Sequence, residues 1–232
     1  MDVLMVFLDR GERRFSEVRI PIAKTSTLRR LLASSESRAH FWSAVRSFNP
    51  LRLNLLGSWD VDPRELLSLN RLQSLYISLP SFEGLNTVAQ LPALELLWLV
   101  APKVTNVAPI AKLTRLSNLL LNVAVSDLTP LSTLKELQSL SLRHAPISDL
   151  SPLRKLKRLQ LLDLGDTEIE SLAALKDCKM LEKLNISFTS VEDLSPLDVL
   201  PNLTRLDISE HKLTRKLQAR KAAGKLTVNV VR

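Results

Sequence analysis

"HAPISDLSPLRKL", residues 144–156, sets two prolines and an aspartate inside a leucine run. A proline inside a helix or a central strand removes a hydrogen-bond donor and crowds the chain, so this stretch is neither. Sliding the sequence along itself explains it. Asp193-Leu194-Ser195-Pro196-Leu197 repeats Asp149-Leu150-Ser151-Pro152-Leu153, with the degenerate Ser171-Leu172-Ala173-Ala174-Leu175 halfway between. The phrase ahead of each copy repeats too: L-x-x-L-x-L, with Ile in the last place of two copies, opens at Leu116, Leu137, Leu159, Leu181 and Leu203, 21, 22, 22 and 22 residues apart.

A leucine phrase recurring at this period means a coil with one short strand that turns its leucines inward, while the rest of the coil returns along the back. The inward strand pairs fall at Leu53/Leu55, Leu75/Ile77, Leu97/Leu99, Leu119/Leu121, Leu140/Leu142, Leu162/Leu164, Leu184/Ile186, Leu206/Ile208 and Val228/Val230. Nine parallel strands at ~4.8 Å give a concave ladder of about 40 Å. The prolines belong to the return, where fixed φ suits turns and 3₁₀ segments and no ladder hydrogen bond is required. Asn106/Pro109, Asp127/Pro130, Asp149/Pro152 and Asp193/Pro196 form that back-face column, each Asn or Asp capping the following turn.

These residues resemble the 22-residue class of leucine-rich repeat found in bacterial internalins and in the regulatory subunit of protein phosphatase 1. The resemblance covers roughly residues 50–232. It implies an α/β-type solenoid, a right-handed superhelix with a concave parallel sheet of about nine strands and a convex side of 3₁₀ segments and turns. Internalins are secreted, and residues 1–12 lack the charge pattern and apolar length of a signal peptide, so a cytoplasmic protein is expected, with nuclear or cytoskeletal settings also open.

Ends of a solenoid need sealing. Residues 1–49 are expected to do this at the N-terminus, through a hairpin of Val3–Leu8 and Phe15–Ile22 around Asp9-Arg10-Gly11-Glu12. A helix over Ser37–Phe48 follows, with Phe41, Trp42, Val45 and Phe48 on one face, stopped by Pro50. Charge is uneven. Residues 1–50 carry nine basic and five acidic residues, 51–210 sixteen and nineteen, and 211–232 seven and none, for net +4, −3 and +7. Residues 210–232 therefore read as a basic capping coil, with Lys212, Arg215, Lys216, Arg220 and Lys221 as its cationic surface. Within it, Leu217 and Ala222 continue the inward face.

Residues flanking the inward leucines point out of the concave sheet. The early coils offer an apolar patch of Tyr76, Leu96, Trp98, Val100 and Leu120. The later coils offer Arg143, Asp163, Lys183, Asn185, Ser187, Arg205 and Asp207. Tyr and Trp dominate protein-binding hot spots, so Tyr76, Leu96, Trp98, Val100, Leu120, Arg143, Asp163, Asn185 and Asp207 are the candidate partner contacts. Opposite charges on adjacent strands also pair simply to stabilise a sheet.

Catalytic signatures are missing. There is no phosphate-cradling glycine loop, no H-E-x-x-H, no paired C-x-x-C and no G-x-S-x-G. The lone Cys178 falls in register with Leu156 and Leu200 and reads as a buried apolar residue. The expectation is a non-catalytic scaffold without a cofactor or metal, holding a partner protein on its concave face and not a membrane protein. The rival is electrostatic docking of the basic terminus on RNA or an acidic filament, although that stretch lacks aromatics for base stacking. A structural subunit of a large assembly is the third reading. The coil opening at Leu116 is one residue short, which predicts a tighter turn between Leu121 and Val125.

Overall fold

The structure, a computed structural model, describes residues 7–11, 14–19, 35–56, 61–209 and 213–231, of which 7–11, 14–19, 35–38 and 48 are described as backbone alone. Period-two alternation in each leucine phrase produces one strand per coil. These are β3 (Arg52–Leu56), β4 (Ser74–Ser78), β5 (Leu96–Val100), β6 (Asn118–Asn122), β7 (Ser139–Ser141), β8 (Leu161–Asp163), β9 (Lys183–Asn185), β10 (Arg205–Ile208) and β11 (Thr227–Val230). All nine pair in parallel and in chain order. One inward position runs through the whole sheet as Leu53, Leu75, Leu97, Leu119, Leu140, Leu162, Leu184, Leu206 and Val228, each opposite the next. The eight leucines of this row are buried.

Behind the sheet the chain returns through 3₁₀ segments at Pro63–Ser68, Ala108–Lys112, Thr129–Thr133, Ser151–Lys155, Ala173–Asp177 and Ser195–Val199. Five of the six begin with a proline in the first two positions, where a helical turn has no use for the N–H. The caps are those expected. Asn106 Oδ1 accepts from Ala108 N at 2.9 Å, Asp127 from Thr129 N, Asp149 from Ser151 N and Asp193 from Ser195 N, each of the last three at 2.8 Å. Ser171 fills the place more weakly, its Oγ accepting from Ala173 N at 3.3 Å.

Coils fall into two kinds. After the inward pair, the coils opening at Leu72 and Leu94 bury their next residues at Leu79 and Phe82, and at Ala101 and Val104, so the strand continues for two residues and the chain then steps by three. The coils opening at Leu137 and Leu159 step by three and then by two, to Ala145 and Ile147 and to Thr167 and Ile169. The extra residue of this exit is left-handed: His144, Asp166 and Phe188 have φ of 65°, 58° and 58°. The coil opening at Leu116 combines the early exit, at Val123, with the late return, at Val125. Its missing residue is the left-handed one. The turn closes between Leu121 and Val125 as the sequence predicts, with Val125 N donating to Val123 O at 2.9 Å.

At the N-terminal side, β1 (Phe7–Gly11) and β2 (Arg14–Arg19) form an antiparallel hairpin, and β2 pairs in parallel with β3. The strand therefore includes Asp9–Gly11, where the sequence suggested a turn. The register slips between Asp9 and Arg10, and pairing continues to Gly11 opposite Arg14. The remainder of the expected strands, residues 3–6 and 20–22, lies outside the described residues. Helix α1 (Ser35–Phe48) buries Phe41, Trp42 and Val45, and ends at left-handed Asn49 just before Pro50.

At the other end, helix α3 (Arg215–Ala222) follows the four-residue helix α2 (Leu85–Val88) of an earlier coil in chain order. Thr214 caps α3 by accepting from Leu217 N at 3.2 Å, and its hydroxyl donates to Asp198 at 2.7 Å. Leu217 is buried. Ala222 is exposed rather than inward, because five residues on a helix is a rotation of about 140°. Val228 is half-buried and Val230 is 56% exposed, a departure from the expected inward pair: β11 packs against a neighbouring coil on one side alone among the described residues.

Two measurements follow. Burial pushes the Cys178 thiol up to about 11, and its Sγ lies 3.5 Å from Leu153 O. An aromatic disulfide reagent at neutral pH should label Cys178 only after denaturant is added; labelling of the native protein at the unfolded rate would contradict its burial. The carboxyls of Asp127 and Asp149 are held below the usual range first by the hydroxyls and then by the N–H groups of Thr129 and Ser151, and that of Asp193 first by the N–H and then by the hydroxyl of Ser195. Because folding lowers these values, the stabilisation is present above the unfolded value of roughly 3.9 and disappears as pH falls through the folded ones. The melting temperature should thus drop on acidification below about pH 4, and the Asp127→Ala/Asp149→Ala/Asp193→Ala variant should show a shallower drop. An equal slope in both proteins would contradict the capping role.

Candidate binding surface on the concave sheet

The outward residue between each pair of inward leucines forms a column across the sheet: Asn54, Tyr76, Trp98, Leu120, Ser141, Asp163, Asn185, Asp207 and Asn229. Sequence periodicity places these side chains, and the parallel register brings them together. Tyr76 and Trp98 have ring centroids 5.9 Å apart at a tilt of 42°, and Trp98 is 44% exposed. Leu96 and Val100 flank Trp98 on β5, and Leu120 lies opposite it on β6; all three are half-buried. The five apolar residues are thus one continuous patch. The hairpin extends the sheet edgewise through β2 instead of lying across this patch.

The polar half of the column is a hydrogen-bonded ladder. Asp163 Oδ1 accepts from Gly165 N at 3.0 Å and from Asn185 Nδ2 at 2.8 Å. Asn185 Oδ1 accepts from Ser187 N at 3.0 Å and from the Ser187 hydroxyl. Asp207 accepts from Arg205 Nε at 3.2 Å and from Asn229 Nδ2. Two aspartates on adjacent strands would repel, and an asparagine between them supplies a donor in place of a second charge. The alternation of Asp163, Asn185, Asp207 and Asn229 at intervals of 22 residues was visible in the sequence as a signal for this ladder.

At Asp163 and Asn185 the ladder also ends the strand. A side-chain oxygen that captures the N–H two residues on makes an Asx turn and takes the chain out of the extended state. Tyr76, Trp98 and Leu120 carry no such acceptor, and β4–β6 run on for five residues where β8 and β9 stop at three. Ser187, expected to face outward, is accordingly buried. Arg143 lies beyond the end of β7 rather than on it. Its Nε donates to His144 Nε2 at 3.3 Å, and His144 Nδ1 lies 2.6 Å from Asp166 Oδ2. This rim group adjoins the central column at Gly165, where the Arg143 guanidinium, Asp163 Oδ1 and Asn185 Nδ2 converge.

Over β7–β10, on the ladder side of the apolar patch, lies a shallow open depression of about 250 Å³, lined by Ser139, Ser141, Leu161, Asp163, Lys183 and Arg205 among others. Leu161 is 36% exposed. Lys183 makes no side-chain hydrogen bond or ion pair among the described residues. Sequence reasoning did not single out this depression, because it arises where β7 presents two serines between bulkier neighbours.

The basic terminus is less available than its composition suggests. Arg220 is half-buried, donating through one terminal nitrogen to Leu200 O at 2.8 Å and through the other to Leu203 O. It ties α3 to the preceding coil, because the carbonyls after a 3₁₀ segment lack intrahelical donors. Arg215, Lys216 and Lys221 are exposed, and Lys212 lies outside the described residues. Among the described residues, no group of three or more His, Cys, Asp and Glu is placed to hold a metal, and no helix is long and apolar enough to cross a membrane.

A model of the family of leucine-rich repeats (2 copies) matches residues 135–177. No curated protein matches the sequence. Among solved structures, internalin C2 of Listeria monocytogenes is 24% identical, with 82% of this chain and 84% of that one aligned at a TM-score of 0.66. A second Listeria monocytogenes internalin (inlF) is 26% identical at a TM-score of 0.59, with 82% of this chain and 65% of that one covered. The leucine-rich-repeat ectodomain of the receptor kinase GASSHO1/SCHENGEN3 from Arabidopsis thaliana, in complex with CASPARIAN STRIP INTEGRITY FACTOR 2, is 18% identical at a TM-score of 0.63, over 82% of this chain and 25% of that one. The nine in-register strands, the 3₁₀ returns and these matches agree: the chain is a leucine-rich-repeat solenoid.

Proposed function

We propose that the protein is a non-catalytic interaction scaffold that holds a partner protein on its concave face, centred on Tyr76, Trp98 and Leu120. One observation carries this reading: a continuous apolar and aromatic patch stands outward on a hydrogen-bonded sheet, with Trp98 44% exposed at its centre. An exposed aromatic cluster on a surface that does not have to order itself binds at low entropic cost. Solenoids of this fold commonly serve as protein-binding scaffolds, and the plant receptor above was solved with a bound factor. In this proposal residues 1–49 act as the N-terminal cap, 50–232 as the solenoid and 210–232 as a basic capping coil, in a cytoplasmic setting. Electrostatic docking through the terminus is the weaker reading, since Arg220 is committed to carbonyls of its own chain.

The test compares intact protein with a Tyr76→Ala/Trp98→Ala variant as baits in native extract, after matching circular dichroism and melting. Loss of two hot-spot aromatics should weaken capture of one partner by more than about thirtyfold, with little dependence on salt. Equal recovery by both baits, or binding abolished by moderate salt and by neutralising Arg215, Lys216 and Lys221, would overturn it.

A further inference from the structure

Resting on the concave-face reading, we infer that the partner presents an extended peptide segment with an apolar or aromatic anchor and an acidic side chain about five or six residues away. The anchor sits on Tyr76 and Trp98, and the carboxylate meets Lys183 and Arg205. The path between them is marked by the outward residues. From Trp98 on β5 the surface runs over Leu120 on β6, drops at Ser139 and Ser141 on β7, and rises at Leu161 on β8 to reach Lys183 on β9 and Arg205 on β10. The two serines lower the floor, so a chain can lie across the strands there without meeting a bulky side chain.

The chemistry at the far end follows from which hydrogen-bonding groups are spent. Asp207 is engaged by Arg205 Nε and Asn229, and Asp163 Oδ1 by Gly165 N and Asn185. Lys183 Nζ and the terminal nitrogens of Arg205 donate to no group among the described residues. Lys183 and Arg205 are also direct neighbours on adjacent strands. An arriving carboxylate therefore finds open donors from two cations, whereas an arriving cation finds carboxylates largely occupied. Asp163 Oδ2 accepts from no group among the described residues and can take a backbone N–H of the segment. The spacing is set by the sheet. Four strand intervals separate β5 from β9, ~19 Å at ~4.8 Å each, and an extended chain advances ~3.3 Å per residue.

Display of random twelve-residue peptides against the whole protein tests this. The intact protein should enrich sequences with an aromatic or large apolar residue and an Asp or Glu five or six positions apart. Lys183→Gln, a substitution of an exposed side chain, should keep the aromatic preference, lose the acidic one, and bind the selected peptides about tenfold more weakly. Lys183→Glu should select a basic residue in that place. Enrichment of aromatics alone, or an acidic preference that persists in Lys183→Gln, overturns the inference while leaving the concave patch in place. Peptides retained equally by the Tyr76→Ala/Trp98→Ala variant instead count against the concave-face reading itself. A display that returns no binder overturns the inference, since a short extended segment is what it requires.

Discussion

In-register parallel pairing of one inward position, from Leu53 to Val228, is the constraint on which the other features depend. Strands ~4.8 Å apart leave each leucine stacked on the same position of the coils above and below, so the strand cannot slip by one residue without turning its leucines out. Changes in coil length must be absorbed elsewhere. The 21-residue coil shows this: Leu119 still faces Leu140, and the loss is taken up between Leu121 and Val125. The 3₁₀ returns, with proline at their starts and Asn or Asp accepting the first free N–H, keep the convex side as short as the strand spacing demands.

The central concave column couples fold to surface chemistry. Where it is aromatic or aliphatic, at Tyr76, Trp98 and Leu120, the strand runs on and presents three outward residues per coil. Where it is Asp163 or Asn185, the side chain captures the N–H two residues later and the chain leaves the strand. The chain then passes a left-handed residue, Asp166 or Phe188, a conformation that is uncommon away from glycine, aspartate and asparagine. At β8 and β9 this position thereby sets both the end of the strand and the polarity of the surface, whereas Asn54 in β3 leaves a five-residue strand and β7 stops at Ser141 without such a capture. The short coil stands at the boundary between the two kinds, and the depression opens beside it.

Much of this was legible in the sequence. The 22-residue recurrence of L-x-x-L-x-L placed all nine strands and the capping column, because burial and backbone capping act locally and identically in each coil. Cys178 was legible for the same reason. Side chains with more than one available use were not. Arg220 reads as part of a basic surface, but its length lets it reach two carbonyls of the previous coil. Asp163 and Asp207 read as surface charges, although their partners Asn185 and Asn229 stand 22 residues on in the same column. Ser187 was misplaced because its facing depends on where the strand ends, and that is set by the side chain of Asn185.

The claim that unites these features is that the concave sheet is rigid before any partner arrives. Native-state hydrogen exchange of the free protein reads this directly. The amides of Leu97, Leu99, Leu119, Leu140, Leu162 and Leu184 should be the slowest in the chain and exchange only through openings close to global unfolding. Fast, independent exchange of β4–β6, beneath the aromatic patch, would contradict it.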